Sequence, residues 1–217
     1  MNHKRLIDET ILFVKQTLTN AEGGHDWWHI YRVWNLSKTI ASSENVDLLT
    51  IELGALLHDI ADAKFHNGNE KLGPKLALDF LLNQGVDELV CAHVVSIIEN
   101  ISYGGGNHKQ VFNSPELAVV QDADRLDALG AIGIARTFNY GGFKSREMYN
   151  PDIKPNLHMT KEEYRNSTAP TLNHFYEKLL LLKDRMNTET GKRMAAERHR
   201  FMELYLENFY AEWEGLK

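Results

Sequence analysis

The sequence has one cysteine and no long apolar run, and each scarcity excludes a class of protein. With Cys91 alone, no intrachain disulfide can form, and a cysteine-rich zinc site is excluded. No segment approaches the ~18 apolar residues of a membrane span, and the N-terminal stretch lacks the apolar core of a signal peptide. We therefore expect a soluble, cytoplasmic protein without a targeting segment.

Basic charge is also scarce, with 24 Lys+Arg against 30 Asp+Glu and a formal net charge of −6. The chain therefore lacks the basic excess that drives binding to nucleic-acid polymers or anionic membranes. Its 217 residues, 43% hydrophobic and 25% charged, fit one globular domain. Ten histidines stand out. Because cysteine is nearly absent, histidine and carboxylate are the residue types left to bind a metal.

Apolar residues recur at helical spacing almost throughout, and no run alternates as a β-strand would. The sequence therefore predicts an all-α chain. Asp26 and Asp47 are candidate N-caps of two early helices, and Ser114 precedes a proline at a first helical position. Thr160 and Glu163 match a capping box that opens a helix to about residue 186, interrupted or kinked by a proline at position 170.

The most informative segment is Leu56-Leu57-His58-Asp59-Ile60, which places an imidazole and a carboxylate together at the end of an apolar helix. A buried charge needs a strong partner, and a metal ion would be one. The alternative interpretation needs no metal: His58 is a core histidine with ordinary hydrogen bonds, and Asp59 is a carboxylate at the end of the helix. Two other segments, His29–Val33 and Asp122–Leu126, place residue types that bind metals on helices patterned for burial.

Together these segments resemble the H…HD…D signature of the HD superfamily of metal-dependent phosphohydrolases, in its order and approximate spacing. The residues that carry the resemblance are His29 with Arg32-Val33, the His58-Asp59 pair and Ala123-Asp124-Arg125-Leu126. Downstream, the stretch from Asp122 to Arg136, the Gly141-Gly142 pair and the tail around 174–177 are similar to a bacterial subgroup that includes YedJ and YpgQ.

The resemblance implies an HD-domain helical bundle with additional C-terminal helices. We expect a single domain over residues 1–217, with the metal-site core at about 20–130 and a helical extension at about 131–217.

The resemblance also implies that His29, His58, Asp59 and Asp124 are the metal ligands, with Asp122 as the alternative to Asp124. Two imidazoles and two carboxylates leave positions for water on a six-coordinate ion, which favours Mn²⁺ or Mg²⁺ over a closed tetrahedral zinc site. Adjacent helix positions do not face each other, so one ion would contact both His58 and Asp59 only from the flank of their helix.

Four further residues are candidates for catalysis and substrate binding. In several HD phosphohydrolases an acid at the offset of Asp62 orients or deprotonates the attacking water; a solvated helix-end acid is the alternative interpretation. Lys64 is a catalytic candidate because an ammonium near the metal would neutralise charge in the transition state. Arg32 and Arg125 are candidate substrate-binding residues, or else each pairs with a nearby aspartate.

Basic residues near the glycine break, Arg136, Lys144 and Arg146, are interpreted as solvated surface. His93 is interpreted as a core residue or a neighbour of the ligands, and His174 has no constellation around it in the sequence.

These residues predict a metal-dependent hydrolase of phosphoric ester or anhydride bonds that acts on a small phosphorylated molecule, such as a nucleotide. Resemblance to the YpgQ-like subgroup favours pyrophosphate release from nucleoside triphosphates. Nucleotide monoester or diester cleavage and a non-catalytic metal- or nucleotide-binding regulatory module are the alternatives. An oxygen-activating two-iron site is a further class, which would need His93 or His66 as an additional ligand. No nucleic-acid polymer and no membrane is expected as a partner.

Overall fold

The computed structural model describes residues 2–19, 26–61, 69–101 and 112–217, and every regular element within those ranges is helical. This confirms the all-α prediction. The chain forms two compact units, Met1–Asp124 and Arg125–Lys217, and the single domain stays a prediction. None of the helices in the described ranges is long and apolar enough to cross a membrane.

The first unit contains five helices and most of a sixth within its described residues. They are α1 (His3–Thr17), α2 (Trp27–Ala41), α3 (Leu48–Leu57), α4 (Leu72–Asn83), α5 (Glu88–Asn100) and α6 (Pro115–Asp127).

Side-chain caps fix where several of these helices begin. The carboxylate of Asp26 accepts a hydrogen bond of 3.0 Å from the backbone N–H of His29, in the first turn of α2. Asp47 and Ser114 cap α3 and α6 in the same way, at 2.8 and 3.0 Å. Each cap satisfies a backbone N–H that the first turn leaves without a helical partner. The three capping positions predicted from the sequence are confirmed, and one of them sets the position of His29.

Helix α3 lies at the centre of the first unit. Every residue from Thr50 to Leu57 is buried, so this part of the helix has no solvated face. At Gly54, a Cβ atom would lie 3.3 Å from the Ile97 side chain on α5, so the glycine permits close packing of these two helices. The burial of α3 holds its C-terminal end, and therefore the His58-Asp59 pair, in a fixed place.

A buried carboxylate within α3 joins three helices. Glu52 is 7% exposed, and one of its oxygens accepts a hydrogen bond of 3.0 Å from the indole N–H of Trp34 on α2. Its other oxygen lies 2.6 Å from Nε2 of His3 on α1. A buried carboxylate is costly without such partners, so these contacts hold α1 and α2 against α3.

The second unit contains the remaining elements. They are α7 (Gly130–Phe143), α8 (Lys161–Asn166), α9 (Asn173–Glu177), a 3₁₀ helix (Leu179–Arg185) and α10 (Glu189–Trp213). Aromatic rings join α7, α9 and α10: Phe175 stacks on Tyr205 with ring centroids 5.9 Å apart, and Phe138 stacks on Phe209 at 6.4 Å.

The helix predicted from Thr160 to about residue 186 is interrupted near Pro170, as expected, but it consists of three short pieces rather than two long ones. The capping box is present, because the N–H of Thr160 donates to Glu163 at 2.7 Å and the N–H of Glu163 donates back at 3.2 Å. The proline offers no N–H to a helix. The next two N–H groups, of Thr171 and Leu172, donate to backbone carbonyls in the 143–159 loop rather than to a preceding turn.

Candidate metal centre

The first side chain of the candidate site, His29, lies in the first turn of α2. The Asp26 cap fixes the start of that helix, and His29 is 2% exposed within the first unit. Its Nε2 atom lies among acceptor atoms from two other parts of the fold.

His58 and Asp59 follow the last residue of α3 rather than lying within the helix. His58 is the C-cap, and Asp59 lies in the turn beyond it. The sequence argument placed both on the flank of one helix. His58 keeps helical backbone angles, with φ −62° and ψ −29°. Its Nε2 atom and Oδ2 of Asp59 both lie within 4 Å of Nε2 of His29, 3.3 and 3.9 Å away.

A hydrogen bond to the backbone orients the imidazole of His58. Its Nδ1 lies 2.8 Å from the carbonyl oxygen of Ala55, and a carbonyl can only accept, so Nδ1 carries the proton. In the neutral ring, Nε2 then presents a lone pair. This is the arrangement in which a second partner fixes the tautomer of a metal-binding histidine.

The donor atoms of His29, His58 and Asp59 converge in a small volume. The two Nε2 atoms lie 3.3 Å apart, and Oδ2 of Asp59 lies 3.9 Å from Nε2 of His29. One potential ligand atom from each of the three side chains lies within 4.8 Å of the others.

Asp124, in the last turn of α6, adds a second carboxylate. Its Oδ1 atom lies 3.5 Å from Nε2 of His29 and 3.9 Å from Nε2 of His58. Asp122 is fully buried, whereas the side chain of Asp124 is 36% exposed. Positions two apart on a helix point in nearly opposite directions, so the two aspartates occupy different environments.

The residues present fit a divalent cation. The carboxylate of Asp59 and the His58 lone pair lie in one cluster with His29, Asp124 approaches both imidazoles from α6, and the combined charge of these side chains is negative when both imidazoles are neutral. Such a set of acceptors is repulsive without a positive charge between them. Nitrogen and oxygen donors without thiolate are suited to a borderline or hard divalent ion.

The chain is similar to known proteins over the segment that contains these side chains. The family model described as "HD domain" matches residues 27–129, which include all four of these side chains. YpgQ of Bacillus subtilis is 34% identical over 217 residues, covering 100% of this chain and 98% of that protein. The chain belongs to the HD-domain family.

Solved structures match this chain over nearly its whole length. An HD-superfamily hydrolase from Bacillus thuringiensis is 45% identical with a TM-score of 0.78, covering 99% of this chain and 100% of that one. The structure of Bacillus subtilis YpgQ in complex with ADP is 34% identical with a TM-score of 0.78, covering 98% and 97%. The chain is a hydrolase of this superfamily, and HD domains bind divalent metals.

The four residues predicted for catalysis and substrate binding differ in how far the structure describes them. Asp62 and Lys64 lie outside the described residues. Arg32 is half-buried on α2, one turn after His29. Arg125 follows the candidate ligand Asp124, and its guanidinium donates a hydrogen bond of 2.5 Å to the carbonyl of Arg185.

His93 has partners of its own. Its Nε2 lies 2.9 Å from the hydroxyl of Ser114 and 3.5 Å from a carboxylate oxygen of Glu116. Phe112 contacts the ring edge-to-face, with centroids 5.5 Å apart. These contacts account for His93 as a structural residue next to the α6 cap.

Sequence reasoning missed one ion pair and one basic cluster. Arg136, interpreted as solvated surface, forms an ion pair of 2.7 Å with Asp127, which is 1% exposed. His174, which has no constellation in the sequence, has the charges of Arg146 and Lys178 close enough to affect its protonation. The spacing of 28 positions between Arg146 and His174 gives no local signal, because a loop and α8 lie between them.

Proposed function

We propose that this hydrolase is a metal-dependent phosphohydrolase that acts on a nucleotide. The observation that carries the proposal is the convergence of two imidazoles and two carboxylates from α2, the end of α3 and α6. In this proposal His29, His58, Asp59 and Asp124 hold one divalent cation. Asp124 is proposed rather than Asp122 because its Oδ1 atom lies 3.5 Å from Nε2 of His29 and 3.9 Å from Nε2 of His58.

Mn²⁺ or Mg²⁺ is the proposed ion, since four nitrogen and oxygen donors leave room for water in an octahedral shell. When bound, such an ion supplies a positive charge at phosphoryl oxygens and lowers the pKa of a coordinated water. The chain's own contribution is to fix the ligands, as the Ala55 carbonyl does for His58.

Proton handling and phosphate contact are assigned to the side chains around the ligands. Asp62 is proposed to orient the attacking water or accept its proton, and Lys64 to neutralise charge that develops on phosphate oxygens. Arg32, one turn from His29, is proposed to contact the substrate's phosphates. Arg125 would do so only with guanidinium N–H groups other than the one that donates to the Arg185 carbonyl.

The preferred reaction is release of pyrophosphate from a nucleoside triphosphate. It is supported by similarity to YpgQ, whose structure is known in complex with ADP, a nucleotide. Nucleotide monoester or diester cleavage is the alternative reaction at the same site.

A release screen tests this function. Chelator-treated protein is supplied separately with Mn²⁺, Mg²⁺, Co²⁺ and Zn²⁺, and phosphate and pyrophosphate are measured over nucleoside mono-, di- and triphosphates and a cyclic nucleotide. Pyrophosphate release that requires Mn²⁺ or Mg²⁺ is the expected result. Phosphate release alone would favour the monoesterase, and metal binding without turnover of any nucleotide would favour a non-catalytic binding module.

A further inference from the structure

The second unit has a pocket lined by residues to which the proposed function assigns no role. It has a volume of about 290 Å³ and lies between the loop that follows Tyr149, helix α9 and the C-terminal part of α10. Its lining includes three tyrosines, two prolines and one amide side chain: Tyr149, Tyr176, Tyr210, Pro151, Pro155 and Asn173. Pockets for drug-sized ligands have volumes of roughly 300–1,000 Å³, so this one suits a single small ring system.

Aromatic contacts hold one wall of the pocket in place. The ring centroid of Tyr149 lies 5.0 Å from that of Trp213, 5.4 Å from that of Tyr210 and 5.9 Å from that of Phe209. All three pairs are edge-to-face, which is a favourable arrangement for aromatic rings. Tyr149 and the two prolines therefore give the pocket rigid apolar walls.

Hydrogen bonds within the loop hold the opposite wall. The backbone N–H groups of Asp152 and Ile153 donate to the side-chain oxygen and the carbonyl of Asn150, at 3.0 and 3.2 Å. The N–H of Asn156 donates to a carboxylate oxygen of Glu177 on α9 at 3.0 Å. Because these bonds form without a ligand, little ordering of the loop remains to be done on binding.

The side-chain amide of Asn173 joins α9 to this loop and leaves one acceptor open. Asn173 is 2% exposed, and its Nδ2 donates a hydrogen bond of 3.1 Å to the carbonyl of Ile153. Among the described residues, its side-chain oxygen has no hydrogen-bond partner, and this oxygen is not fully enclosed by protein. Since Asn173 lines the pocket, the oxygen is open to it. An acceptor without a partner is costly in such a place, and a ligand N–H would satisfy it.

Two tyrosine hydroxyls add a donor to the same pocket. The hydroxyl oxygens of Tyr176 and Tyr210 lie 3.1 Å apart, so one hydroxyl donates to the other. The hydrogen of the accepting hydroxyl has no acceptor of its own within the described part of the chain. Burial, and then the hydrogen bond with Tyr176, raise the pKa of Tyr210, so its hydroxyl keeps its proton at pH 7. Tyr176 lies three positions after Asn173, on the same face of α9.

We propose that this pocket binds a nucleobase, carried by a nucleoside or by a nucleotide. A nucleobase is a planar ring, and the edge of adenine, for example, presents an amino donor beside a ring-nitrogen acceptor. The Asn173 oxygen accepts from the donor, a tyrosine hydroxyl donates to the acceptor, and the walls contact the faces of the ring. A sugar carries more hydroxyl groups than these two partners can satisfy. The inference is drawn from the second unit alone and does not rest on the proposed function.

Titration calorimetry of the chelator-treated full chain with adenosine tests the pocket, because adenosine has no phosphate to bind at a metal or at basic side chains. We expect the double variant Tyr176→Phe/Tyr210→Phe to bind adenosine about three- to tenfold more weakly, the contribution of one neutral hydrogen bond, because it keeps both rings and loses both hydroxyls. Tyr140→Phe is the matched control, since it removes a hydroxyl on α7 from a residue that does not line the pocket.

Purine riboside, which lacks the 6-amino group of adenosine, tests the role of Asn173 from the side of the ligand. We expect wild type to bind it about three- to tenfold more weakly than adenosine, and Asn173→Ala to bind the two nucleosides equally. Asn173→Ala also loses the bond to Ile153, so thermal melting compares it with wild type. The comparison of two ligands on wild type stays valid if this variant unfolds.

AMP identifies the source of the base. Lys154 is exposed and lines the pocket, so it can contact a phosphate attached to the bound nucleoside. Binding of AMP that is tighter than that of adenosine, with the difference lost in Lys154→Gln, supports a site for a nucleotide; equal binding supports a site for a nucleoside. The proposal is overturned if chelated wild type binds no adenosine, if it binds ribose or purine riboside as tightly as adenosine, or if the double tyrosine variant matches Tyr140→Phe.

Discussion

A single hydrogen bond determines which nitrogen of His58 is available to a cation. The Nδ1–H donates to the Ala55 carbonyl, so the Nε2 lone pair faces Nε2 of His29, 3.3 Å away. Both atoms belong to side chains that the fold buries, and the acceptors around them come from separate helices. Each candidate ligand of the proposed metal centre can therefore be removed by a single substitution.

The fourth ligand can be identified by comparing two aspartates on α6. We predict that Asp124→Asn weakens Mn²⁺ binding by at least about a hundredfold, because it removes a charged ligand. For comparison, the loss of a hydrogen-bond partner behind a ligand lowers metal affinity by ~10–100-fold. Asp122→Asn is predicted to keep Mn²⁺ affinity within about threefold, although its full burial makes it the less stable variant. Calorimetric Mn²⁺ titration well below the melting temperature measures both. The reverse order of effects would make Asp122 the ligand.

His174 makes stability depend on pH. Its pKa is about 3 in the folded protein against an ordinary value of 6.5, so the unfolded chain binds a proton that the folded chain does not. This contribution to stability is fully present above about pH 6.5. It is lost as the pH falls toward 3, with a slope of up to about 1.4 kcal/mol per pH unit.

We therefore predict that His174→Gln reduces the loss of unfolding free energy between pH 7 and pH 5. Urea unfolding at both pH values measures it, with His158→Gln as the control because His158 is exposed. An unchanged pH dependence in His174→Gln would show that folding does not lower the pKa of this imidazole.

At the scale of elements, alanine substitutions at two adjacent glycines of α7 are expected to have opposite effects on stability. A Cβ at Gly141 would lie 2.2 Å from the hydroxyl of the buried Thr171, whereas a Cβ at Gly142 meets nothing within 4 Å. We predict that Gly141→Ala destabilises the protein by about 1–3 kcal/mol through overpacking. Gly142→Ala is predicted to be neutral or to stabilise by up to about 1 kcal/mol, because alanine favours the helix. Chemical denaturation compares the two, and equal effects would contradict the packing at Thr171.

Elements that depend on local chemistry were predictable from the sequence. Asp26, Asp47 and Ser114 cap the helices that they were expected to cap, because a cap and its N–H lie within a few residues. The division of the chain after Thr160 into short pieces was less predictable. It depends on backbone bonds from the 171–172 segment to a loop more than 20 positions earlier.

In the candidate site too, local features were predictable from the sequence and long-range packing was not. The His58-Asp59 pair at the end of α3 is visible in the sequence, but its approach to His29 joins residues 29 positions apart and depends on how α2 packs. The choice between Asp122 and Asp124 depends on which face of α6 is covered, which a single sequence does not contain. The cluster around His174 joins residues far apart along the chain and had no sequence signal.

For the whole molecule, the proposed metal binding would be coupled to the stability of the first unit. The formal charge of −6 includes Asp59 and Asp124, which lie 3.9 and 3.5 Å from Nε2 of His29 and would face a divalent cation in the proposed site. A ligand that binds only the folded state stabilises it by about 2.7 kcal/mol at a hundred times its Kd. We predict that Mn²⁺ raises the melting temperature of chelated wild type but not of the His58→Ala/Asp59→Ala double variant. An equal rise in both would place the ion elsewhere.

The most direct test of the central claim is the rate of pyrophosphate release from nucleoside triphosphates as Mn²⁺ is added back to chelator-treated protein. Wild type, the His58→Ala/Asp59→Ala variant and the exposed-surface control Asp79→Asn are measured side by side. The account predicts no release without metal, a saturating rise in wild type and Asp79→Asn, and no release by the double variant at any Mn²⁺ concentration. Full-rate release without metal, or release by the double variant, would contradict it.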